Sequence, residues 1–302
     1  MMNRKLLLAL IVPAVLVGCE PIETPPVEPP PDPQQIAFAS DRTGNREIFT
    51  MDSVGGHVLQ LTTNPGIDSW PAWSPDGKKI AFSRQASPAA EPQVYVMNAD
   101  GTGQTLLTQL TGADHPDWSP DGKKIAFTAT EADFSTGIYV MNADGTGVQR
   151  IADAVANAAG PRWSPDGSRI VFLSYRGDVW RDLYVMNADG SAIQKLPRPE
   201  TDQYNPLGYD WSPDGAKVVF TFSPYAASFE LWTVDLAGGA LTHLSPAGGS
   251  DSAPSWSADG RKIAFMSNRA GGYDIFTIDL ASGALTNLTQ NPAGDYFPAW
   301  KH

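Results

Sequence analysis

The chain has 302 residues, of which 42% are hydrophobic and 18% are charged, and its formal net charge is −12 at pH 7. This acidic balance argues against nucleic-acid binding, because the phosphates would have to be neutralised by lysine and arginine. Cys19 is the single cysteine, so no disulfide can form within the chain and packing must hold the fold together.

The N-terminus is typical of a bacterial lipoprotein leader. A short basic start precedes a twelve-residue apolar stretch at 6–17, and Leu-Val-Gly-Cys, ending at Cys19, matches a lipobox. A transmembrane helix is the alternative, but a span needs roughly 20 apolar residues and Pro13 interrupts this stretch. We therefore predict a signal peptide at 1–18, acylation of Cys19, and a lipid anchor that holds the protein to a membrane of the cell envelope.

A proline-rich segment follows the cysteine. Residues 20–33 contain seven prolines and four acidic residues. Such a composition favours polyproline II at ~3.1 Å per residue, which would hold a domain roughly 40 Å from the membrane. Proline-rich segments also serve as recognition ligands, but no basic residue stands next to this one. We interpret 19–35 as the acylated cysteine and a spacer.

Six tryptophans then recur at intervals of 44 to 48 residues. They are Trp73, Trp118, Trp163, Trp211, Trp256 and Trp300. Each of the first five opens a Trp-Ser-Pro-Asp-Gly motif, with alanine in place of proline in the last copy. A fixed period of this size indicates a repeat architecture.

Each repeat predicts four short strands. Ser-Pro-Asp-Gly at 74–77 fits a type I turn, and the apolar alternation at 79–83 predicts the strand after it. A strand at 94–97 leads to Asn-Ala-Asp-Gly at 98–101, a hairpin signal before a short outer strand. Four antiparallel strands in about 45 residues are typical of a β-propeller blade.

The two ends of the repeat region complement each other. Residues 36–40 match the second strand of a blade, whereas 296–300 match the first strand. We therefore predict an all-β, six-bladed propeller of four-stranded antiparallel blades, in which the C-terminal strand completes the N-terminal blade. The ring must close as a unit, so 36–302 is predicted to be one domain.

The motifs carry a resemblance to a known family. Trp-Ser-Pro-Asp-Gly-Lys-Lys-Ile-Ala-Phe, the Tyr-Val-Met-Asn-Ala-Asp-Gly run and a loop ending in Pro-x-Trp resemble the TolB-type propeller repeat of bacterial envelope proteins. The blades that start at Trp211 and Trp256 depart from this pattern at their second turn. TolB itself carries an α/β domain before its propeller, whereas only the predicted leader and spacer precede Ile36. The resemblance implies a lipoprotein with a TolB-like propeller and without that domain.

Four acidic residues are candidates for a binding site at the channel mouth. Asp68, Asp251 and Asp295 each lie five residues before a blade tryptophan, and Asp114 lies four before. Equivalent positions in a ring would place these carboxylates around one mouth of the central channel. They could cap the local backbone before a proline, or they could hold a Ca²⁺ ion or a basic group of a partner.

The variable loops supply a second set of candidates. In each blade the two turn motifs share one face of the disc, so specificity is expected on the opposite face, where the loops vary. Aromatic residues on these loops suit contact with a peptide or a glycan, with packing between blades as the alternative. The candidates are Tyr175, Trp180, Tyr204, Tyr209, Tyr225 and Phe229.

Little in the sequence indicates catalysis. No two of the four histidines stand at metal-ligand spacing, and no Gly-x-Ser-x-Gly elbow occurs. A pair of carboxylates meeting in the channel could still serve a glycosidase. We therefore expect a non-catalytic scaffold that binds an envelope protein or peptide, without a cofactor. A saccharide-binding or saccharide-active propeller is the alternative.

Overall fold

A computed structural model describes residues 34–151, 157–176, 181–199, 206–223, 228–245 and 248–302. The predicted leader, Cys19 and the spacer up to Pro33 lie outside the described residues, so the domain boundaries and the lipid anchor stay predictions. No helix in the described part of the chain combines the length and the apolar character that crossing a membrane requires.

The described residues form 24 strands in six antiparallel sheets of four strands each. Blade 1 contains β1 (Gln35–Ser40), β2 (Glu47–Asp52), β3 (Leu59–Gln60) and, from the end of the chain, β24 (Asp295–Trp300). Blade 2 contains β4 (Ile67–Trp73), β5 (Lys79–Gln85), β6 (Gln93–Asn98) and β7 (Thr105–Leu106). Blade 3 contains β8 (Asp114–Trp118), β9 (Lys124–Thr130), β10 (Thr136–Asn142) and β11 (Gln149–Arg150).

The remaining three blades repeat this arrangement. Blade 4 contains β12 (Ala159–Trp163), β13 (Arg169–Ser174), β14 (Asp182–Asn187) and β15 (Gln194–Lys195). Blade 5 contains β16 (Tyr209–Trp211), β17 (Lys217–Phe222), β18 (Glu230–Asp235) and β19 (Leu241–His243). Blade 6 contains β20 (Asp251–Trp256), β21 (Lys262–Ser267), β22 (Asp274–Asp279) and β23 (Leu285–Asn287).

The tryptophan strand is the innermost strand of every blade, and a strand of only two or three residues is the outermost. In blade 1 that inner strand is β24, which pairs with β1 through Ile36↔Trp300 and Ala37↔Ala299. Trp300 is 2% exposed. The predicted six-bladed propeller and its closure by the C-terminal strand are therefore confirmed.

The Ser-Pro-Asp-Gly motif forms the predicted turn between the first two strands. The Gly77 N–H donates to the Ser74 carbonyl at 2.8 Å, and the Ser74 hydroxyl donates to Asp76 at 2.7 Å. That hydroxyl also accepts the Lys79 N–H at 2.9 Å. In the later copies each glycine faces the proline of the preceding blade's turn; a Cβ on Gly167 would lie 3.2 Å from Pro120. The motif thus shapes its own hairpin and links neighbouring blades.

The Asn-Ala-Asp-Gly turn has a similar double role. The Gly101 N–H donates to the Asn98 carbonyl at 2.9 Å, and Gly101 has a φ of +86°. A Cβ there would lie 2.6 Å from the Leu61 carbonyl oxygen of blade 1, so only glycine permits this approach. Blade 5 uses a longer turn, closed by the Gly239 N–H on the Asp235 carbonyl at 2.8 Å.

The core lies between the blades. The second strand of each blade has a phenylalanine that is at most 2% exposed at the same position of the repeat. These are Phe38, Phe82, Phe127, Phe172, Phe220 and Phe265. Five of them pair with an aromatic ring on the third strand at centroid distances of 5.8 to 6.1 Å. This packing fixes the inner strands around the channel.

Candidate functional site

Every blade sends its inner strand to the central channel, and five of these strands are bulged. The pairing register shifts in β4, β8, β12, β20 and β24 just before the blade tryptophan. At each bulge the third residue before the tryptophan has a positive φ, between +49° and +64°. These residues are Trp70, His115, Gly160, Ala253 and Phe297. A left-handed backbone is strained for all of them except glycine, and such strain is typical of functional sites.

Three of these bulge residues form an aromatic wall, which we define as Trp70, His115 and Phe297. The Trp70 ring stacks on Phe297 at a centroid distance of 3.7 Å and on His115 at 4.0 Å. The wall comes from the adjacent blades 1, 2 and 3. The equivalent positions in blades 4, 5 and 6 hold the small residues Gly160, Gly208 and Ala253. The channel is therefore aromatic on one side and open on the other.

A cavity of about 150 Å³ occupies the channel. All six inner strands line it, and so does Arg181, which lies just before β14. Tyr209 also lines the cavity; it is 6% exposed and donates its hydroxyl to the Ala159 carbonyl at 3.1 Å and to the Gly160 carbonyl. Burial raises the pKa of Tyr209, so this hydroxyl stays protonated.

In blades 3, 5 and 6 the side chain of the residue before the tryptophan bonds to the next blade. Asp117 accepts the Trp163 N–H at 2.7 Å, and Asp210 accepts the Trp256 N–H at 2.8 Å. Because these bonds run from one blade to the next, polar side chains in the channel also stabilise the ring.

Arg162 belongs to the inner strand of blade 4, and its positive charge lies between the carboxylates of Asp117 and Asp210. It donates to Asp117 at 3.2 Å, and its side chain remains 24% exposed toward the cavity. Burial raises the pKa of Asp117 to about 6 even though Arg162 opposes the shift. Burial likewise raises the pKa of Asp210, against the charges of His302 and Arg162. The channel thus holds charges whose hydration has been largely removed.

Three of the predicted mouth carboxylates lie in ion pairs. Asp68, Asp251 and Asp295 are fully buried, and each is bound by an arginine at the end of the second strand of its own blade or two residues after it. The pairs are Asp68–Arg84 at 2.7 Å, Asp251–Arg269 at 2.6 Å and Asp295–Arg42 at 2.9 Å. Each guanidinium also lies within 6 Å of two aromatic rings. These three carboxylates are therefore enclosed rather than open to the channel.

Asp114 differs from the other three. Its side chain is 26% exposed and lies beside His115, whose backbone N–H it accepts at 2.7 Å. Burial acts to raise the pKa of Asp114, but His115 and Ser83 outweigh it and the pKa is lowered. No group of three or more histidine, cysteine or acidic side chains within the described residues could hold a metal ion. A ligand role of the four carboxylates, including the Ca²⁺ hypothesis, stays a prediction.

The predicted loop aromatics do not form one group. Tyr209 lies in β16 and lines the channel, whereas Tyr175 is 37% exposed and lies 5.1 Å from the Arg181 guanidinium. Phe229 is half-buried, and its backbone bonds to Ser250 and Asp251. Trp180, Tyr204 and Tyr225 lie outside the described residues.

Sequence reasoning missed the aromatic wall, although a signal was present. Trp-Pro-Ala-Trp, His-Pro-Asp-Trp and Phe-Pro-Ala-Trp place Trp70, His115 and Phe297 at the same distance from the blade tryptophan. A variable residue at one fixed position of an inner strand predicts a channel-facing side chain. The bulge that turns it inward, however, has no sequence marker of its own.

The variable-loop face also carries exposed apolar side chains. Phe134 is 88% exposed at the tip of the loop between β9 and β10, with a φ of +64°. Ile67, Tyr175 and Leu207 are 37% to 41% exposed where loops meet the strands of blades 2, 4 and 5. Acidic residues share this face, namely Asp41, Glu91, Glu131 and Asp133. The face is therefore both apolar and acidic.

Comparison with known proteins agrees with this architecture. The sequence matches the family described as TolB beta propeller domain over residues 26–114, 107–207 and 202–302. A 64-residue segment is 42% identical to a "Protein TolB homolog" of Chlorobaculum tepidum, covering 21% of this chain and 14% of that protein. Another segment, of 67 residues, is 33% identical to the "Tol-Pal system protein TolB" of Francisella tularensis subsp. mediasiatica, covering 22% of this chain and 15% of that protein.

A solved structure matches over most of the chain. The crystal structure of TolB from Acinetobacter baumannii superimposes with a TM-score of 0.77 at 22% identity. The match covers 88% of this chain and 66% of that chain. At this identity the likeness shows the fold alone, and the chain spans only about a seventh of the curated relatives it matches.

Proposed function

Because the chain belongs to the TolB beta propeller domain family, we propose that it is a non-catalytic binding module of the bacterial cell envelope. Its partner is a protein or peptide segment that presents basic and apolar side chains. The propeller displays a rigid face to this partner, and little conformational entropy is lost on binding. Acylation of Cys19 anchors the module to a membrane.

The observation that carries this proposal is the apolar and acidic variable-loop face. Large exposed apolar side chains that share one face with acidic groups are typical of protein-binding surfaces. Phe134 is the strongest candidate anchor, because it is 88% exposed and its backbone is held in a left-handed conformation. The surrounding acidic residues favour a basic partner.

The dispersal of the histidines supports a non-catalytic role. His57 pairs with Asp52, His115 stacks on Trp70, and His243 pairs with Glu230. These three histidines lie on different blades, and of them only His115 lines the channel cavity, together with His302. A place in a Tol–Pal system is not part of the proposal, since the matched segments cover so little of those relatives.

Cross-linked envelopes of the native host provide the test. The protein is purified from detergent extracts, and captured proteins are identified by mass spectrometry. The double variant Phe134→Ser, Leu207→Ser alters the variable-loop face. Val54→Ser is the matched control, because Val54 is 74% exposed on the opposite face.

We expect one defined protein to be captured by the wild type and by the control and to be lost from the double variant. The purified partner should then bind with a dissociation constant that rises with ionic strength, because acidic groups take part. Equal capture by both variants would show that this face is not the binding surface.

A further inference from the structure

Two residues of opposite charge line the channel cavity, and neither has an ion-pair partner among the described residues. Arg181 makes no ion pair or hydrogen bond within the described residues, and its buried Nε atom has no acceptor there. Asp210 accepts only two backbone N–H groups, those of Trp211 at 3.0 Å and Trp256 at 2.8 Å. Both residues line the same cavity, yet no ion pair of 4.0 Å or less joins them.

Arg181 and Asp210 are both only partly exposed, and unpaired charges in such places are costly because part of their hydration is lost. Arg162 does not neutralise Asp210 by direct contact, since its ion pair is with Asp117. His302 acts on the charge of Asp210 but makes no ion pair with it within 4.0 Å. The raised pKa of Asp210 agrees with a carboxylate that no cation contacts.

The third element of the cavity is the aromatic wall. Trp70, His115 and Phe297 are each partly exposed, and they face the side of the channel where the bulge residues are small. Bulky side chains in strained left-handed conformations are not needed to close a propeller, because Gly160 and Ala253 occupy the same position in other blades. The wall therefore offers an apolar surface in the same cavity as the two charged groups.

We propose that this cavity binds a small zwitterion of the amino-acid type. Arg181 binds the carboxylate, Asp210 binds the ammonium group, and the aromatic wall contacts an apolar side chain. A cavity of about 150 Å³ suits a ligand of this size rather than a folded segment. The site goes beyond the protein-binding face, since its three proposed contacts lie inside the channel; Leu207 of that face also lines the cavity but is not one of these contacts.

Three matched probes separate the contributions of the two charges. L-Phenylalanine carries both, phenethylamine lacks the carboxylate, and 3-phenylpropanoate lacks the ammonium group. Binding of each to the full-length protein is measured by isothermal titration calorimetry at neutral pH. We expect L-phenylalanine to bind about tenfold or more tightly than either analogue, because each charged hydrogen bond is lost separately.

Variants of the chain test the same assignment. Arg181→Gln should weaken L-phenylalanine binding about tenfold or more while leaving phenethylamine binding unchanged. Asp210→Asn should do the reverse, sparing 3-phenylpropanoate. Arg150→Gln is the control, since Arg150 is 42% exposed and pairs with Glu131 away from the cavity. If Asp210→Asn does not fold, Arg181→Gln alone still decides the question.

Equal affinity for the three probes would overturn the proposal, and so would unchanged binding in Arg181→Gln. The proposal is also overturned if none of the natural amino acids, each tested at ~10 mM, gives a heat of binding or a thermal shift. Tighter binding of the dipeptide Gly-Phe than of free phenylalanine would assign the site to a peptide end instead. None of these outcomes depends on the capture of an envelope protein, so the two proposals can fail separately.

Discussion

At the scale of the residue, the aspartates that lie five residues before a blade tryptophan form buried ion pairs. Asp251 is fully buried, and its partner Arg269 is 12% exposed and contacts the rings of Phe265 and Phe276. The ion pair is therefore packed within one blade in the way that core side chains are. Its carboxylate cannot be removed without leaving a guanidinium unpaired in a poorly hydrated place.

Asp251→Asn should lower the free energy of unfolding by about 3 kcal/mol, because Arg269 would stay buried without its counter-ion. Urea denaturation followed by tryptophan fluorescence measures this change. Asp133→Asn serves as the control, since Asp133 is exposed at a loop tip. A loss equal to that of the control would mean that solvent already screens the Asp251–Arg269 pair.

Asp117 predicts a dependence of stability on pH. Its folded pKa of about 6 lies above the ordinary aspartate value of 3.8, so the folded state binds the proton more tightly. The stabilisation from this group is fully present below the unfolded pKa and is lost as the pH rises through 6. Between pH 4 and 7.5 the wild type should lose up to about 3 kcal/mol relative to Asp117→Asn.

This comparison needs urea denaturation of both proteins at several pH values. The difference between them isolates Asp117 from the other carboxylates, which respond to acid in both proteins. A constant difference across that range would contradict the raised pKa.

At the scale of the element, the two turn motifs connect blades as well as strands. The glycine of each later Ser-Pro-Asp-Gly turn lies against the proline of the same turn in the preceding blade. The glycine of each Asn-Ala-Asp-Gly turn lies against a backbone carbonyl of the preceding blade. Their repetition in sequence is therefore explained by structure alone. No binding role has to be assigned to these motifs.

Two glycines with similar backbone geometry allow the stability cost of local strain to be distinguished from the cost of a disturbed contact between blades. Gly215 has a φ of +68° and Gly190 has a φ of +87°, but a Cβ at Gly190 would collide with the Ile151 carbonyl oxygen. Gly215→Ala should cost about 1 kcal/mol through left-handed strain. Gly190→Ala should cost about 1 to 3 kcal/mol more, because the blades must separate.

Thermal unfolding of the two alanine variants by circular dichroism measures this difference. Equal melting temperatures would show that the second turn does not hold neighbouring blades together.

At the scale of the whole molecule, the ring depends on one strand that comes from the far end of the chain. β24 covers β1, whose main chain would otherwise be an open edge, and Trp300 packs in the core cluster of Ile36 and Phe38. No local interaction replaces these contacts. Closure is therefore a property of the entire propeller.

Deletion of 295–302 should lower the melting temperature by about 10 °C or more, because it opens the ring and exposes an edge strand. Removal of Lys301 and His302 alone is the control and keeps β24 intact. Differential scanning calorimetry gives both values. An unchanged melting temperature after the longer deletion would falsify the closure of the ring by this strand.

The period of the tryptophans, the two turn motifs and the strand alternation by themselves determined the class of fold, the number of blades and the strand that closes the ring. These features can be predicted because turns and alternation act over a few residues and repeat in register. The charged and aromatic groups of the channel are different. Asp68 was predicted to be near the mouth, but its arginine partner depends on the pairing of β4 with β5.

Only the tertiary structure decided which side chains meet in the channel. Trp70 and Phe297 stand at opposite ends of the propeller sequence and stack only because the ring closes between blades 1 and 2. Arg181 and Asp210 share a cavity because bulged inner strands leave room beside two glycines. The repeat pattern specifies each blade locally, whereas the contents of the channel depend on how six blades curve around one axis.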